Sequence, residues 1–253
     1  KISFGNSVYL DKITLQPQQF YTMIEEQKEF PRSSQPDPAA VRTLFDNLAT
    51  YYDKVIAVHI SDKLSGVYAT TAALSRQYSS ARIETVNSRH LSASQGLLVM
   101  RTAEAIDRGD SFESIIECIK TWASKTRLLT DIDSLTYMVK GGRVSPLKGF
   151  FAKAANLKPI VSVDEQGKAY APGKSFSRRG NMKKILSMVE EDTAGQPLWN
   201  YALVHSRNPR RAESYAEKLT AITGQAPAYT MDISPVVGVH NGLGAVAVAY
   251  MLE

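Results

Sequence analysis

The chain has one cysteine, Cys118, in 253 residues. A single thiol cannot close an intramolecular disulfide, so a disulfide-stapled scaffold is excluded. The histidines at 59, 90 and 205 are isolated, and no Cys/His group has zinc-ligand spacing. Long apolar runs are missing too. The longest, such as Val236–Val239 and Ala245–Tyr250, fall far short of the ~20 residues a membrane-spanning helix needs, so no stable membrane insertion is expected. No signal peptide is recognisable, and with one free thiol the expected compartment is the cytoplasm. Internal repeats and low-complexity segments are absent. Neither sign of charge dominates: 30 Lys and Arg stand against 25 Asp and Glu, a net charge of +5. That mild excess suits an acidic small ligand, an acidic protein patch or nucleic acid, and selects none of them.

Several motifs of catalysis and cofactor binding are also missing. Gly173-Lys174-Ser175 resembles the end of a phosphate-binding loop, but Lys168 stands where the first glycine is required. No Gly-x-Ser-x-Gly elbow occurs, and no Gly-x-Gly-x-x-Gly follows a strand. No cofactor is expected. The basic run Lys174–Lys184 lacks the interleaved aromatics of an RNA-binding surface, so nucleic acid is not the expected partner.

What is present is globular. Hydrophobic residues make up 43% and charged residues 22%, near the averages for folded domains. A chain of this length buries roughly 70–75% of its unfolded surface. The first residues read as strands Ile2–Phe4 and Val8–Leu10, then a helix Gln16–Lys28 with Pro17 in its first turn. The two prolines of Arg32–Pro38 make a loop. Helix Ala39–Thr50, strand Val55–Ile60, helix Val67–Tyr78, strand Ile83–Val86, helices Ser94–Arg108 and Phe112–Ser124, and strand Arg127–Thr130 follow. Such alternation implies βαβ crossovers. Beyond Tyr137, glycine and lysine crowd Lys140–Lys153. Strands Lys158–Val163 and Gly167–Pro172 then flank a hairpin turn. Helix Arg179–Glu191, strand Tyr201–Ser206, helix Arg210–Thr220, strands Ala228–Met231 and Val236–His240, and a last helix from near Gly244 complete the expectation. The fold class is α/β in two lobes: residues 1–150 with a mostly parallel sheet, and residues 151–253 with a mixed sheet.

Four segments carry possible chemistry, each beside a plainer reading. Ser65-Gly66 follows a strand and opens a helix, which offers a hydroxyl and free N–H groups to an anion. It also reads as a simple N-cap. Ser33-Ser34-Gln35-Pro36 is a stiff hydroxyl-rich loop, or a turn whose serines cap the next helix. Lys140-Gly141-Gly142-Arg143 permits close backbone approach and a bidentate arginine, or is a hinge with a solvated cation. His240 at a strand end before glycines can bind an anionic oxygen or exchange a proton, or is a satisfied structural residue.

Taken together, these segments resemble the DegV family of bacterial fatty-acid-binding proteins. The resemblance rests on Ser33-Ser34-Gln35-Pro36, His59–Tyr68, Leu135–Ser145, Leu157-Lys158-Pro159-Ile160 and Gly238–Gly244, in that order. It implies one long-chain fatty acid in an apolar tunnel, with its carboxylate at the lobe junction. The hydroxyls of Ser33 and Ser65 would hold the carboxylate. Ser34, Gly66, Arg143, His240 and Asn241 would stand around it. Two hydroxyls, a cation and an imidazole suit a buried carboxylate, which is costly to bury without partners. The resemblance further implies a carrier rather than an enzyme, one that presents the acyl carboxylate to a fatty-acid kinase for acyl-phosphate formation. Arg178 and Arg179 are the candidate docking residues for that kinase.

Four departures from the family pattern stand out. Its opening strand ending in Asp-Ser, with the helix after it, is not in this chain, which starts Lys-Ile-Ser-Phe. Loss of such a strand would bare sheet edges. The expectation is that residues precede Lys1, whether cleaved, disordered or part of a longer polypeptide such as a kinase fusion. Val67 replaces the usual Thr, Asn87 the usual Asp, and Asn241-Gly242-Leu243-Gly244 the usual His-x-Gly-Pro-Gly. Two other readings remain open: an enzyme in which His240 and Arg143 act on a small carboxylated or phosphorylated substrate, and a lipid-sensing module of a longer polypeptide.

Overall fold

The computed structural model of the chain describes residues 1–26, 29–143 and 157–253. The end of the first expected helix at Lys28, and Val144 and Ser145 of the glycine-rich motif, lie outside the described residues.

Three sheets form. Strands β1 (Ile2–Phe4), β2 (Ser7–Tyr9) and β3 (Arg32–Ser33) make a small antiparallel sheet ordered β2-β1-β3. Helix α1 (Pro17–Glu26) buries Phe20 and Tyr21 beneath it, beside Ile2 and Phe4. Helix α2 (Pro38–Tyr51) starts where Asp37 accepts the Ala39 N–H at 2.9 Å and Pro38 presets the first turn. Strands β4 (Lys54–His59) and β5 (Arg82–Asn87) pair in parallel, with Val55 opposite Ile83 and His59 opposite Asn87, and α3 (Val67–Ser75) is the crossover.

Helices α4 (Ser92–Asp107) and α5 (Phe112–Ser124) follow, the latter capped by Ser111. Next comes β6 (Thr126–Asp131), which does not extend the parallel pair. It joins a six-stranded mixed sheet ordered β10-β9-β11-β6-β7-β8. After the five-residue helix α6 (Thr136–Lys140), β7 (Lys158–Val163) and β8 (Ala169–Ser175) form the expected hairpin. Asp164 Oδ1 closes its turn by accepting the N–H groups of Gln166 and Lys168, each at 2.9 Å. Helix α7 (Arg178–Gly195), β9 (Leu198–His205), α8 (Pro209–Thr223) and β10 (Thr230–Asp232) then lead to the C-terminal part.

Two expectations fail there, in opposite senses. Val236–His240 is not a strand but lies within helix α9 (Pro235–Asn241). Ser234 and Pro235 start it as N-cap and first-turn residues, and Gly242, at φ 70°, ends it. Downstream of Gly244 there is no helix but β11 (Val246–Leu252), all seven residues buried, antiparallel to both β9 and β6. A strand buried on both sides has no polar face to reveal it, and its alanines read as helix formers.

The large sheet is covered on both faces. One side packs α4 and α5 through Leu97, Leu98, Ile115, Ile119 and Trp122. The other packs α7 and α8 through Ile185, Val189, Tyr215 and Leu219. Among the described residues, no helix is long and apolar enough to cross a membrane.

Candidate functional site

On the α4 side of the sheet lies a cavity of about 420 Å³, within the roughly 300–1,000 Å³ typical of small-ligand sites. Its walls come from well-separated parts of the chain. Leu128 and Thr130 of β6, Val161 of β7 and Ala247 of β11 line it from the large sheet. Leu64 and Leu91 contribute from the segments after β4 and β5, Met138 from α6, and Val236 and Val237 from α9. Most of this wall is aliphatic.

The polar part of the wall gathers most of the residues singled out from sequence. Ser33, Ser34, Ser65, Arg143, His240 and Asn241 all line the cavity. Ser33 Oγ lies 2.8 Å from His240 Nε2. Ser33 is placed by the pairing of β3 with β1, and His240 by the last turn of α9. The strand-end logic for His240 therefore gives way to a helix-end one. Ser65 sits one residue before Gly66, the N-cap of α3, and its Oγ accepts the Val67 N–H at 3.4 Å. That leaves its hydroxyl hydrogen to donate to a ligand. The α3 N-terminus adds partial positive charge on the same side. Gly66 itself does not line the cavity. It permits a close approach, because a Cβ there would lie 2.8 Å from Gln35 Oε1. The Ser33–Gln35 loop and the Ser65-Gly66 turn are thus brought together.

The electrostatics favour a neutral imidazole. Burial, reinforced by the nearby Arg143 guanidinium, pushes the His240 pKa down to about 4. Its Nδ1 is buried without a partner among the described residues. In the Nε2–H tautomer the ring donates to Ser33 Oγ, which leaves the Ser33 O–H to donate into the cavity. Arg143 is exposed and donates from Nη1 to the Gly141 carbonyl at 2.7 Å. It stands at the mouth as a cation rather than as a buried partner. A site with two hydroxyl donors, a helix N-terminus and a peripheral guanidinium can hold an anionic oxygen group whose remainder is apolar. Among the described residues, no group of three His, Cys, Asp or Glu could hold a metal ion.

Arg178 and Arg179 are elsewhere. They open α7, are exposed and do not line the cavity. Arg178 is tied to Asp133, its Nε donating at 2.5 Å to Oδ1. Asp131, two residues before Asp133, is 2% exposed and anchors a buried network. It accepts from Arg211, from the Tyr215 hydroxyl at 2.9 Å and from Asn181 Nδ2 at 2.8 Å. Sequence reasoning missed this network, and it missed Thr130 and Ala247 in the cavity wall. Which face each occupies depends on the registers of β6, β7 and β11, which lie far apart in sequence. The paired Ser234-Pro235 start signal could have located α9.

Comparison with known proteins is consistent along the whole length. Protein DegV of Bacillus subtilis is 26% identical over 256 residues, covering 100% of this chain and 90% of that protein. A DegV domain-containing protein of Clostridium acetobutylicum is 28% identical over 255 residues, with the same coverages. Among solved structures, that of DegV, a fatty acid binding protein from Bacillus subtilis, superposes with a TM-score of 0.89 at 26% identity, covering 100% of this chain and 89% of the other. A fatty acid binding DegV family protein from Streptococcus agalactiae gives the same TM-score, identity and coverages. A family model described as "Uncharacterised protein, DegV family" matches residues 1–253, and the chain therefore belongs to the DegV family.

Proposed function

We propose that the protein binds one long-chain fatty acid, its acyl chain in the aliphatic cavity and its carboxylate held by the hydroxyls of Ser33 and Ser65. The observation that carries this reading is the union of a largely aliphatic cavity with a hydroxyl–imidazole pair at 2.8 Å on its wall. The solved relatives from Bacillus subtilis and Streptococcus agalactiae, which are described as fatty acid binding, support it. Each buried methylene contributes ~0.8 kcal/mol, so the chain supplies most of the affinity and the polar end fixes direction and charge. Neutral His240 orients Ser33 without adding a second charge. Arg143 and Asn241 complete the polar end. In this reading the residues 1–150 and 151–253 are two lobes, β6 being the first lobe's strand in the large sheet. The protein is a cytoplasmic carrier that hands the acyl carboxylate to a fatty-acid kinase, and the α7 start with Arg178 and Arg179 is the docking face. Because Arg178 is engaged by Asp133, Arg179 is the more available cation of the two.

The test is native mass spectrometry of the purified protein followed by denaturing extraction, together with titration of palmitate and oleate into Ser65→Ala. One co-purified long-chain fatty acid per chain is expected. Affinity in the variant should fall by ~1–3 kcal/mol, the cost of leaving a buried charged acceptor short of a donor. A ligand-free mass that neither acid shifts overturns the reading. Wild-type affinity in Ser65→Ala overturns the site assignment.

A further inference from the structure

Among the described residues four threonines are buried, and three of them dispose of their hydroxyls in the same way. Thr71 donates to the Val67 carbonyl at 2.9 Å, Thr102 to Leu98 at 2.7 Å and Thr126 to Trp122 at 2.7 Å. Thr130 does not. It is 6% exposed, its Oγ1 makes no hydrogen bond among the described residues, and that oxygen keeps some accessible surface. Alternation along β6 turns Leu129 toward the α7–α8 side, where Asp131 meets Tyr215, and turns Leu128 and Thr130 toward the cavity. In register, Thr130 stands between Ala247 of β11 and Val161 of β7, both of which also line the cavity. A second lining residue, Ser92, likewise has a hydroxyl with no partner among the described residues. Its backbone is held at φ 53°, an uncommon conformation for a residue with a side chain.

A plain hydrocarbon chain filling this cavity would dry the Thr130 hydroxyl and leave it unsatisfied, whereas a polar group on the chain would replace the water it displaces. Valine would fill the same strand position with no such penalty. We infer that the cavity prefers a hydroxylated acyl chain, its mid-chain hydroxyl hydrogen-bonded to Thr130, over the saturated chain of the same length. The inference rests on the fatty-acid reading above and names the ligand class for the same cavity.

The experiment is equilibrium competition of stearate against 9-, 10- and 12-hydroxystearate, with the wild type, Thr130→Val and Thr130→Ser. At least one hydroxystearate should bind the wild type about five-fold more tightly than stearate, the worth of one neutral hydrogen bond. Thr130→Val should lose that preference, and Thr130→Ser should keep it. Stearate binding with no hydroxystearate preferred, or a preference that survives in Thr130→Val, overturns the inference and leaves the fatty-acid reading standing. If neither stearate nor any hydroxystearate binds, the fatty-acid reading itself fails and this inference with it.

Discussion

Gly141 is the position where a single methyl group tests the site most sharply. Its backbone is right-handed helical, φ −76° and ψ −7°, a conformation in which alanine is ordinarily favoured over glycine by about 0.5–1 kcal/mol. Entropy alone therefore predicts that Gly141→Ala stabilises the protein. Sterics predict the reverse. A Cβ at 141 would lie 2.2 Å from His240 Nδ1, 2.9 Å from its Cε1 and 3.0 Å from the Tyr137 carbonyl. The imidazole cannot move aside without breaking its 2.8 Å contact to Ser33. Overpacking of this kind costs about 1–3 kcal/mol, which outweighs the entropic gain and leaves a net loss of about 1–2 kcal/mol. For a domain of this size that lowers Tm by about 3–6 °C. Loss of the oriented Ser33 donor should also weaken fatty-acid binding by about ten- to a hundredfold, since hydrogen bonds to charged groups contribute about 1.5–3 kcal/mol. Gly195→Ala is the control: it ends α7, and a Cβ there meets nothing within 4 Å. Thermal unfolding and palmitate titration of both variants decide the matter. If Gly141→Ala is as stable as Gly195→Ala and binds palmitate like the wild type, His240 is not held where the site requires it.

Asp131→Asn should destabilise the protein by about 3–5 kcal/mol, because Arg211, with its side chain 12% exposed, would lose its buried counter-charge. Urea unfolding would show this as a lowered midpoint, and a change under about 1 kcal/mol would mean that Arg211 finds solvent or another partner. A second outcome concerns acid. Burial holds the His90 pKa down at about 4, against about 6.5 in an unfolded chain, so as pH falls between those values the unfolded state takes up a proton that the folded state refuses. Stability is therefore greatest above about pH 6.5 and is lost progressively toward pH 4, by about 3 kcal/mol for this one group. His90→Gln keeps a donor for the Ala123 carbonyl, which His90 Nε2 contacts at 2.9 Å. Unfolding free energies measured at several pH values should show a shallower acid slope in the variant; an identical slope would remove His90 as its source.

Local signals were legible in the sequence, and long-range ones were not. Helix α5 runs from Phe112 to Ser124, the bounds expected from the sequence, whereas α2 is capped by Asp37 and not by the serines of the preceding loop. The parallel pair β4–β5 followed from two β-branched runs separated by a helix. The C-terminal misreading has a definite cause. Val236–Val239 is β-branched and short, so propensity favoured a strand, but Ser234-Pro235 and the turn at Gly242 allow one tight helix. In the site, Ser33 and His240 were visible as residue types but not as a pair, since 207 positions separate them. Their contact requires β3 to pair with β1 and α9 to fold back over the same end of the cavity. Thr130 gave no signal at all, because a threonine on a strand becomes unusual only when its neighbours fail to take its hydroxyl.

Strand β11 shows how one sheet supplies both stability and a binding cavity. Its residues alternate in size: Val246, Val248 and Tyr250 point toward α7 and α8, where they pack with Ile185, Val189, Tyr215 and Leu219. Ala247 and Ala249 point toward α4, with Met251 beyond them on the same side. The face with large side chains is closed further by the Asp131 network and by the Tyr250 hydroxyl, which donates to Asp192 at 2.6 Å. The alanine face leaves room, and part of that room at Ala247 is the cavity. Empty volume in a protein interior is destabilising in proportion to its size. The cavity therefore persists because the opposite face holds the sheet rigid rather than letting it collapse. A ligand that fills the alanine side restores the missing contacts and stabilises the folded state by mass action. In this arrangement β11, buried at all seven positions, also sets the room in the cavity beside Ala247.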